Sequence, residues 1–266
     1  MRKSLKNIDI LRFASVYKTA VQGPALSPNF WIRFVQMAQR LGVHPYELAA
    51  VINSESGFNP AAQNIQNGRI IAQGLNQLIR TIATKTLGMS DELWENFSKL
   101  PPEEHLKWTE KFFNKFGTRL KGKSAGDIYL MNFGGFNNPD GSLYASKEAQ
   151  ERYKQTHPDA EFKNSDYQQK AIDQNAGLVD SSGRIMPSKV KSMVASGPPS
   201  GIKAKIDDAL RATQGQSLPG YEEPNPNWTG SPTSTSNTPA QPQQIPSSMQ
   251  EDPGDVEALE NALWFQ

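Results

Sequence analysis

Apolar residues first recur at helical spacing over residues 27–41, SPNFWIRFVQMAQRL, where Phe30, Trp31, Phe34, Val35, Ala38 and Leu41 fall on one stripe. Ser27 suits the N-cap, Pro28 the first turn and Gly42 the C-terminal stop, so the spacing predicts a helix with a buried face. A second helix opens at Pro45, with Glu47 favourably placed in its first turn, and runs to Ser54–Glu55. Its inward stripe is Leu48, Val51 and Ile52, and the next position on that face is Glu55. Residues 56–74, SGFNPAAQNIQNGRIIAQG, read as irregular chain rich in Gly and Asn. LNQLIRTIATKTL is expected to form a third helix stopped by Gly88, and Ser90 to cap DELWENFSKL. Pro101 and Pro102 then start PEEHLKWTEKFFNKF, with Leu106, Thr109, Phe113 and Phe116 on one stripe. Strand signals are almost absent, so the expected fold is mainly α-helical.

The pattern thins towards the C-terminus. Residues 141–195 are helical or irregular and more polar, and after about residue 212 Pro, Ser, Thr, Gln and Gly dominate. Such a stretch lacks the apolar area that offsets ordering entropy, and is expected to be a disordered linker. The last residues, EDPGDVEALENALWFQ, regain helical spacing at Val256, Leu259 and Leu263, followed by Trp264 and Phe265. Docking on a partner and folding back onto the chain's own domain both satisfy that pattern. The expected division is an N-terminal segment (1–26), a helical domain (27–140), a polar accessory region (141–211), a low-complexity linker (212–250) and a C-terminal amphipathic docking helix (251–266).

Charge and composition remove several function classes. The net charge of +1 gives no basic excess for duplex nucleic acid, so no specific nucleic-acid partner is expected. A hydrophobic share of 36% is low for a chain folded throughout, in keeping with a linker or tail. Cysteine is absent, which rules out disulfides and thiolate metal sites. The basic start MRKSLKNIDILRFASVYK is interrupted by Lys6, Asn7, Asp9, Arg12 and Lys18, so no signal peptide is expected. No run reaches the roughly 18 apolar residues of a transmembrane helix.

Three places carry candidate chemistry. Gly117–Ser124, GTRLKGKS, satisfies the spacing of a nucleotide-binding phosphate loop. That loop must leave a strand, whereas here an amphipathic helix precedes it, and Ser124 to Asp127 reads more simply as a capping box opening the helix DIYLMNF. LVDSSGRIMPSK, residues 178–189, has Gly183 at the turn of a calcium-type loop, but Leu178 opens it and Lys189 stands where a bidentate acid belongs. A turn followed by a helix fits better. The third is Glu55: a carboxyl on an apolar face loses hydration when charged, so its pKa is expected to rise towards the range of a general acid. The bland alternative is a helix-end Glu that turns to solvent or pairs with Arg69 or Arg80.

The absences beside Glu55 sharpen the choice. The 35 residues from Ser56 to Ser90 contain no Asp or Glu, so no second carboxylate follows for a two-acid glycosidase. His44, His105 and His157 are scattered without zinc spacing, and no Gly-x-Ser-x-Gly elbow accompanies Ser54 or Ser56. No metal or cofactor is expected.

ESGFNPAAQN followed by AQGLNQL resembles the signature of the soluble lytic transglycosylases, goose-type-lysozyme-like enzymes of bacteria and phages. The matching positions are Glu55 to Ala62 and Gly74-Leu75-Asn76-Gln77. PEEHLKWTEKFF and SAGDIYLMNF resemble segments of virion-associated phage members, and the likeness covers residues 27–136. The resemblance implies a lysozyme-like helical domain with a glycan groove and Glu55 as the sole catalytic acid/base. It implies cleavage of the β-1,4 bond between N-acetylmuramic acid and N-acetylglucosamine, with a 1,6-anhydromuramoyl product. Ser56, Asn64, Gln77, Tyr129 and Asn132 are the implied substrate-binding residues, and Phe58 is expected to pack under the catalytic helix. Asn76 stands where the family commonly has Met, and LMNFGG keeps only Asn132 and a Gly of Ala-Tyr-Asn-Ala-Gly, with Met131 at the Tyr position. Tyr129 is the candidate replacement. The implied setting is a phage virion acting on the host periplasm and cell wall, with residues 251–266 docking on a virion, tail or ejection protein. A catalytically silent glycan-binding virion component and a lysozyme-type hydrolase remain as alternatives.

Overall fold

The computed structural model describes residues 25–226, apart from 67, 68 and 116. They divide into two compact units, one running to Leu130 and resuming at Lys191, the other Met131–Val190. The N-terminal segment up to residue 24 and the expected docking helix 251–266 lie outside the described residues. The protein is mainly α-helical, in keeping with a lysozyme-like helical domain.

In the first unit, α1 (Pro28–Arg40) starts at Ser27, whose Oγ accepts from the Phe30 N–H at 3.0 Å. Its apolar stripe is buried as the spacing predicts, with Phe30, Phe34, Val35 and Ala38 fully enclosed. The second helix, α2 (Pro45–Ser56), buries Leu48, Val51 and Ile52. The next segment departs from expectation. Residues 63–79 form a three-stranded antiparallel sheet in the order β1 (Gln63–Gln66), β2 (Arg69–Gln73), β3 (Leu78–Ile79). Asn64 pairs with Ala72, and the register shifts between Asn64 and Ile65. The helix expected over residues 75–87 is therefore replaced at its start: Gln77 takes φ +48°, and Leu78 and Ile79 pair with Gln73 and Ala72. Only Ile82–Thr86 winds up, as a π-helical turn.

Beyond it, Ser90 caps α3 (Asp91–Asn96), and Pro102 opens α4 (Pro102–Asn114). A 3₁₀ turn, Gly117–Leu120, follows α4, so the nucleotide-type sequence lacks the strand that its function requires. Ser124 Oγ instead donates to the Asp127 carboxylate and accepts from the Asp127 N–H, capping α5 (Ala125–Phe133). The Glu47 carboxylate accepts from the Ala125 N–H, which ties the start of α5 to the first turn of α2.

The chain returns to this unit as α9 (Ser200–Thr213), which packs on α1 and α2. Residues 214–226, inside the span that composition marks as linker, continue as a strap over α1 and α4. Arg40 donates to the Pro219 carbonyl at 3.1 Å, Lys107 pairs with Glu222 at 3.1 Å and Lys111 with Glu223 at 3.0 Å. The Lys107 ammonium holds the Glu222 carboxyl below the usual range.

The second unit is organised by polar side chains around the short pair β4 (Tyr144–Ala145) and β5 (Arg184–Ile185), flanked by α6 (Lys147–Thr156) and α7 (Ser165–Gln174). Gln168 is fully buried. Its Oε1 accepts from Asn138 Nδ2 and the Ala145 N–H, and its Nε2 donates to Asn138 Oδ1 and the Lys163 carbonyl. All four hydrogen-bonding positions of the amide are used. The calcium-like segment is a turn: Asp180 accepts from the backbone N–H groups of Ser182 and Arg184, and α8 (Pro187–Ser192) follows. Among the described residues no group of His, Asp and Glu is arranged to hold a metal, and no helix is long and apolar enough to cross a membrane.

Candidate active site

Glu55 occupies the last turn of α2, half-buried at the edge of the stripe formed by Leu48, Val51 and Ile52. The helix ends immediately after it for local reasons. Gly57 takes φ +62° and its N–H returns to the Asn53 carbonyl at 2.9 Å, a left-handed cap that a Cβ would strain. Phe58 also takes positive φ, +61°, which costs a non-glycine residue about 1–3 kcal/mol. Its packing offsets that strain: Phe58 is 5% exposed and its ring lies 4.9 Å from Trp31, 5.4 Å from Phe34 and 6.4 Å from Phe30. The aromatic face of α1 thereby fixes where α2 stops, just beyond Glu55.

From Ser56 a relay of hydrogen bonds runs into the sheet. The Asn59 N–H donates to the Ser56 carbonyl, Ala62 N–H to Asn59, Gly74 N–H to Ala62 and Gln77 N–H to Gly74, at 2.9–3.3 Å. Asn59 also accepts from the Ala61 N–H through its side chain at 3.0 Å, which holds the turn at Pro60. The two halves of the signature, Glu55–Ala62 and Gly74–Gln77, are thus one continuous hydrogen-bonded piece. Gly74, at φ +83°, is required there because a Cβ would lie 2.5 Å from Phe97 Cε1 and 3.2 Å from His105 Nδ1.

The remaining expected site residues divide. Ser56 is buried and its Oγ donates back to the Ile52 carbonyl at 3.3 Å, within the helix. Asn64 is half-buried on β1, two residues beyond Ala62. Gln77 joins the relay, its Nε2 donating to the carbonyls of Gly74 at 3.0 Å and Ala62 at 3.4 Å. Tyr129 and Asn132 lie on α5, three positions apart and so on one face, Tyr129 buried and Asn132 half-buried. Asn132 belongs to the second unit and the other five to the first. Arg80, one of the partners considered for Glu55, binds Asp91 at 2.8 Å and Glu95 at 3.0 Å.

Three residues escaped the sequence reading. Asn76 is 3% exposed, and its Oδ1 accepts from Thr109 Oγ1 at 3.1 Å. His105, one helical turn before Thr109 on α4, is fully buried against Phe97 with ring centroids 4.4 Å apart. Burial drives the His105 pKa down to about 3, against a smaller opposing pull from the Phe97 backbone, so its ring is neutral at physiological pH. The i,i+4 spacing of His105 and Thr109 was the available signal, but Thr109 read only as a member of an apolar stripe.

With the acid, its fixed helix end and the two-part signature joined in this way, comparison with known proteins points in the same direction. Residues 33–153 match the family described as Transglycosylase SLT domain. That match supports a soluble lytic transglycosylase domain over this span. No curated protein and no solved structure matches the chain. The matched span of this SLT domain includes every expected site residue, and it implies peptidoglycan as the substrate polymer.

Proposed function

We infer that the protein cleaves peptidoglycan glycan strands as a lytic transglycosylase, with Glu55 as its only acid/base. The observation that carries the reading is the fixed placement of Glu55 at the end of α2, joined to Gly74–Gln77 by the relay inside the SLT span. The carbonyl end of a helix adds partial negative charge, which favours the neutral acid needed for the first step. Glu55 protonates the glycosidic oxygen between N-acetylmuramic acid and N-acetylglucosamine as the bond to C1 breaks. The resulting carboxylate then removes the proton from the muramoyl C6 hydroxyl, whose oxygen closes on C1. A 1,6-anhydro end forms, no water is consumed, and Glu55 recovers its proton.

One carboxylate suffices for this cycle. Other acids of the unit are engaged elsewhere: Glu47 at the start of α5, Glu110 on Arg40, Asp91 and Glu95 on Arg80, and Asp127 on Lys191. Mass analysis of products released from purified sacculi tests the mechanism. Anhydro ends support it, and reducing ends overturn it in favour of hydrolysis with a second acid. Glu55→Gln retaining the wild-type rate would remove the catalytic assignment itself. The spacing of Val256, Leu259 and Leu263 beyond a polar linker favours delivery inside a phage particle, with residues 251–266 docked on a virion protein. Deleting 251–266 would then abolish packaging but leave muropeptide release by the free protein unchanged; unaltered packaging argues against this setting.

A further inference from the structure

The strap lies on the seam between α1 and α4 as a bound peptide would. Its residues 216–225 form no helix, strand or turn, so groups outside the strap must hold its backbone. Arg40 is locked in place by two bonds to Glu110, at 2.7 and 2.8 Å, and its remaining Nη1 donates to the Pro219 carbonyl. At the far end the Ser90 N–H donates to the Pro226 carbonyl at 3.4 Å. Between these two points Glu222 lies 3.1 Å from Lys107 and 3.7 Å from Arg33, and Glu223 lies 3.0 Å from Lys111. Pro224, the next residue, is buried. Two carbonyls, two adjacent carboxylates and a proline are thus met by groups that belong to the helices and the cap of α3.

The strap fills that seam incompletely. The side chains of Glu222 and Glu223 are 59% and 66% exposed, so their ion pairs hold weakly. A cavity of about 210 Å³ remains beneath, bordered by Ile32, Gln36 and Met37 of α1, Leu106 of α4, and Pro219 and Gly220 of the strap. A Cβ at Gly220 would meet nothing within 4 Å, and its backbone is not left-handed. The strap therefore has a glycine where the groove has room for a side chain.

We propose that the α1–α4 seam is a docking groove for an extended acidic peptide of a partner protein, and that the strap occupies it in cis as a self-ligand. The groove reads two adjacent carboxylates followed by proline, and the partner supplies a side chain where the strap has Gly220. Charge complementarity carries the choice of partner: Arg33, Lys107 and Lys111 already take their anions from the strap. Neither Glu55 nor any residue assigned to the glycan borders this cavity, so docking does not depend on the catalytic reading. A short tether presents the strap at an effective concentration of about 1 mM, and a partner must outcompete it. Partner and strap exclude one another.

A labelled synthetic peptide, LPGYEEPNP, the sequence of residues 218–226, tests this by fluorescence anisotropy against the full chain. Glu222→Ala with Glu223→Ala weakens the strap in cis and is expected to tighten peptide binding about tenfold over wild type. Adding Lys107→Glu and Lys111→Glu to that chain is expected to abolish binding, and high salt to weaken it. A peptide with Gln at both Glu positions is expected not to bind, and one with Met in place of its Gly to bind about threefold tighter. No binding at about 1 mM peptide, equal binding by the Gln peptide, or equal binding by wild type and the Glu222→Ala, Glu223→Ala chain would each overturn the proposal. Should the Lys variants not fold, the comparison of the Glu and Gln peptides still decides the matter. Hydrogen exchange reads the cavity in cis: Gly220→Met is expected to slow the amides of residues 220–223 more than Gly220→Ala does. Exchange no slower than in Gly220→Ala would show that the groove takes no side chain there and overturn that part.

Discussion

The two units solve the problem of stability by different means. The first is built on apolar burial, with Phe30, Phe34, Trp94, Trp108 and Phe113 fully enclosed. The second places a buried amide, Gln168, at its centre and satisfies every one of its hydrogen-bonding positions. Apolar packing is non-directional and tolerates a shift, whereas a satisfied polar network fixes register and loses much when one partner goes. The unit that bears Glu55 combines both: aromatic packing sets the end of α2, and a hydrogen-bond relay sets the loop beyond it.

Removing the chemistry while keeping both kinds of support gives the largest expected effect. Glu55→Gln is expected to reduce muropeptide release by about 10²–10⁴-fold, with an unchanged thermal midpoint, as measured on sacculi and by calorimetry. Phe34→Ala attacks the apolar core and is expected to cost about 3–5 kcal/mol in denaturant titration. Gln168→Met keeps the volume but orphans the partners Asn138, Ala145 and Lys163, and about 2–3 kcal/mol is expected from the groups left unsatisfied. Should Gln168→Met prove neutral, the second unit is held by its aromatic residues and the contrast fails.

The pH response sharpens the comparison further. His105 has a folded pKa of about 3, while in the unfolded chain it titrates near 6.5. Above pH 6.5 it contributes nothing to pH dependence. As pH falls from 6.5 towards 3 the unfolded chain binds a proton that the folded chain refuses, so stability falls by up to about 1.4 kcal/mol per pH unit. His105→Leu is expected to remove that slope in urea titrations at stepped pH. Smallest of all, Lys191→Ala is expected to cost less than about 1 kcal/mol, because its pair with Asp127 is partly exposed.

Legibility in the sequence followed the range of the interactions. Helices α1, α3 and α5 were readable because Ser27, Ser90 and Ser124 announce them within three residues. The sheet was missed because β1 and β2 carry no clean alternation and β3 is two residues long. The Asn67-Gly68 dipeptide between β1 and β2 was the usable hairpin signal. Glu55 stood out locally, as an acid on an apolar stripe before a long acid-free stretch. Its support did not, since Thr109 meets Asn76 across 33 positions of chain and His105 reaches Gly74 in the same way. Positive φ at Phe58 and Gln77 was invisible, because neither residue type advertises it.

The strap over α1 and α4 has a mechanical consequence. Tension applied to the chain beyond Pro226 enters the first unit through the Ser90 N–H, then through Glu223 on Lys111 and Glu222 on Lys107 and Arg33. These links release one after another along the strap before the load reaches Thr213 and α9. The ion pairs among them are partly exposed and weaken with salt, whereas the Ser90 hydrogen bond does not. In a force-extension measurement the releases that follow the Ser90 link are expected at lower force in high salt; salt-independent release throughout would place the anchor elsewhere. On that expectation the strap would act as a sacrificial tether, taking up load on the chain beyond Pro226 before it reaches α9 and the helix that bears Glu55.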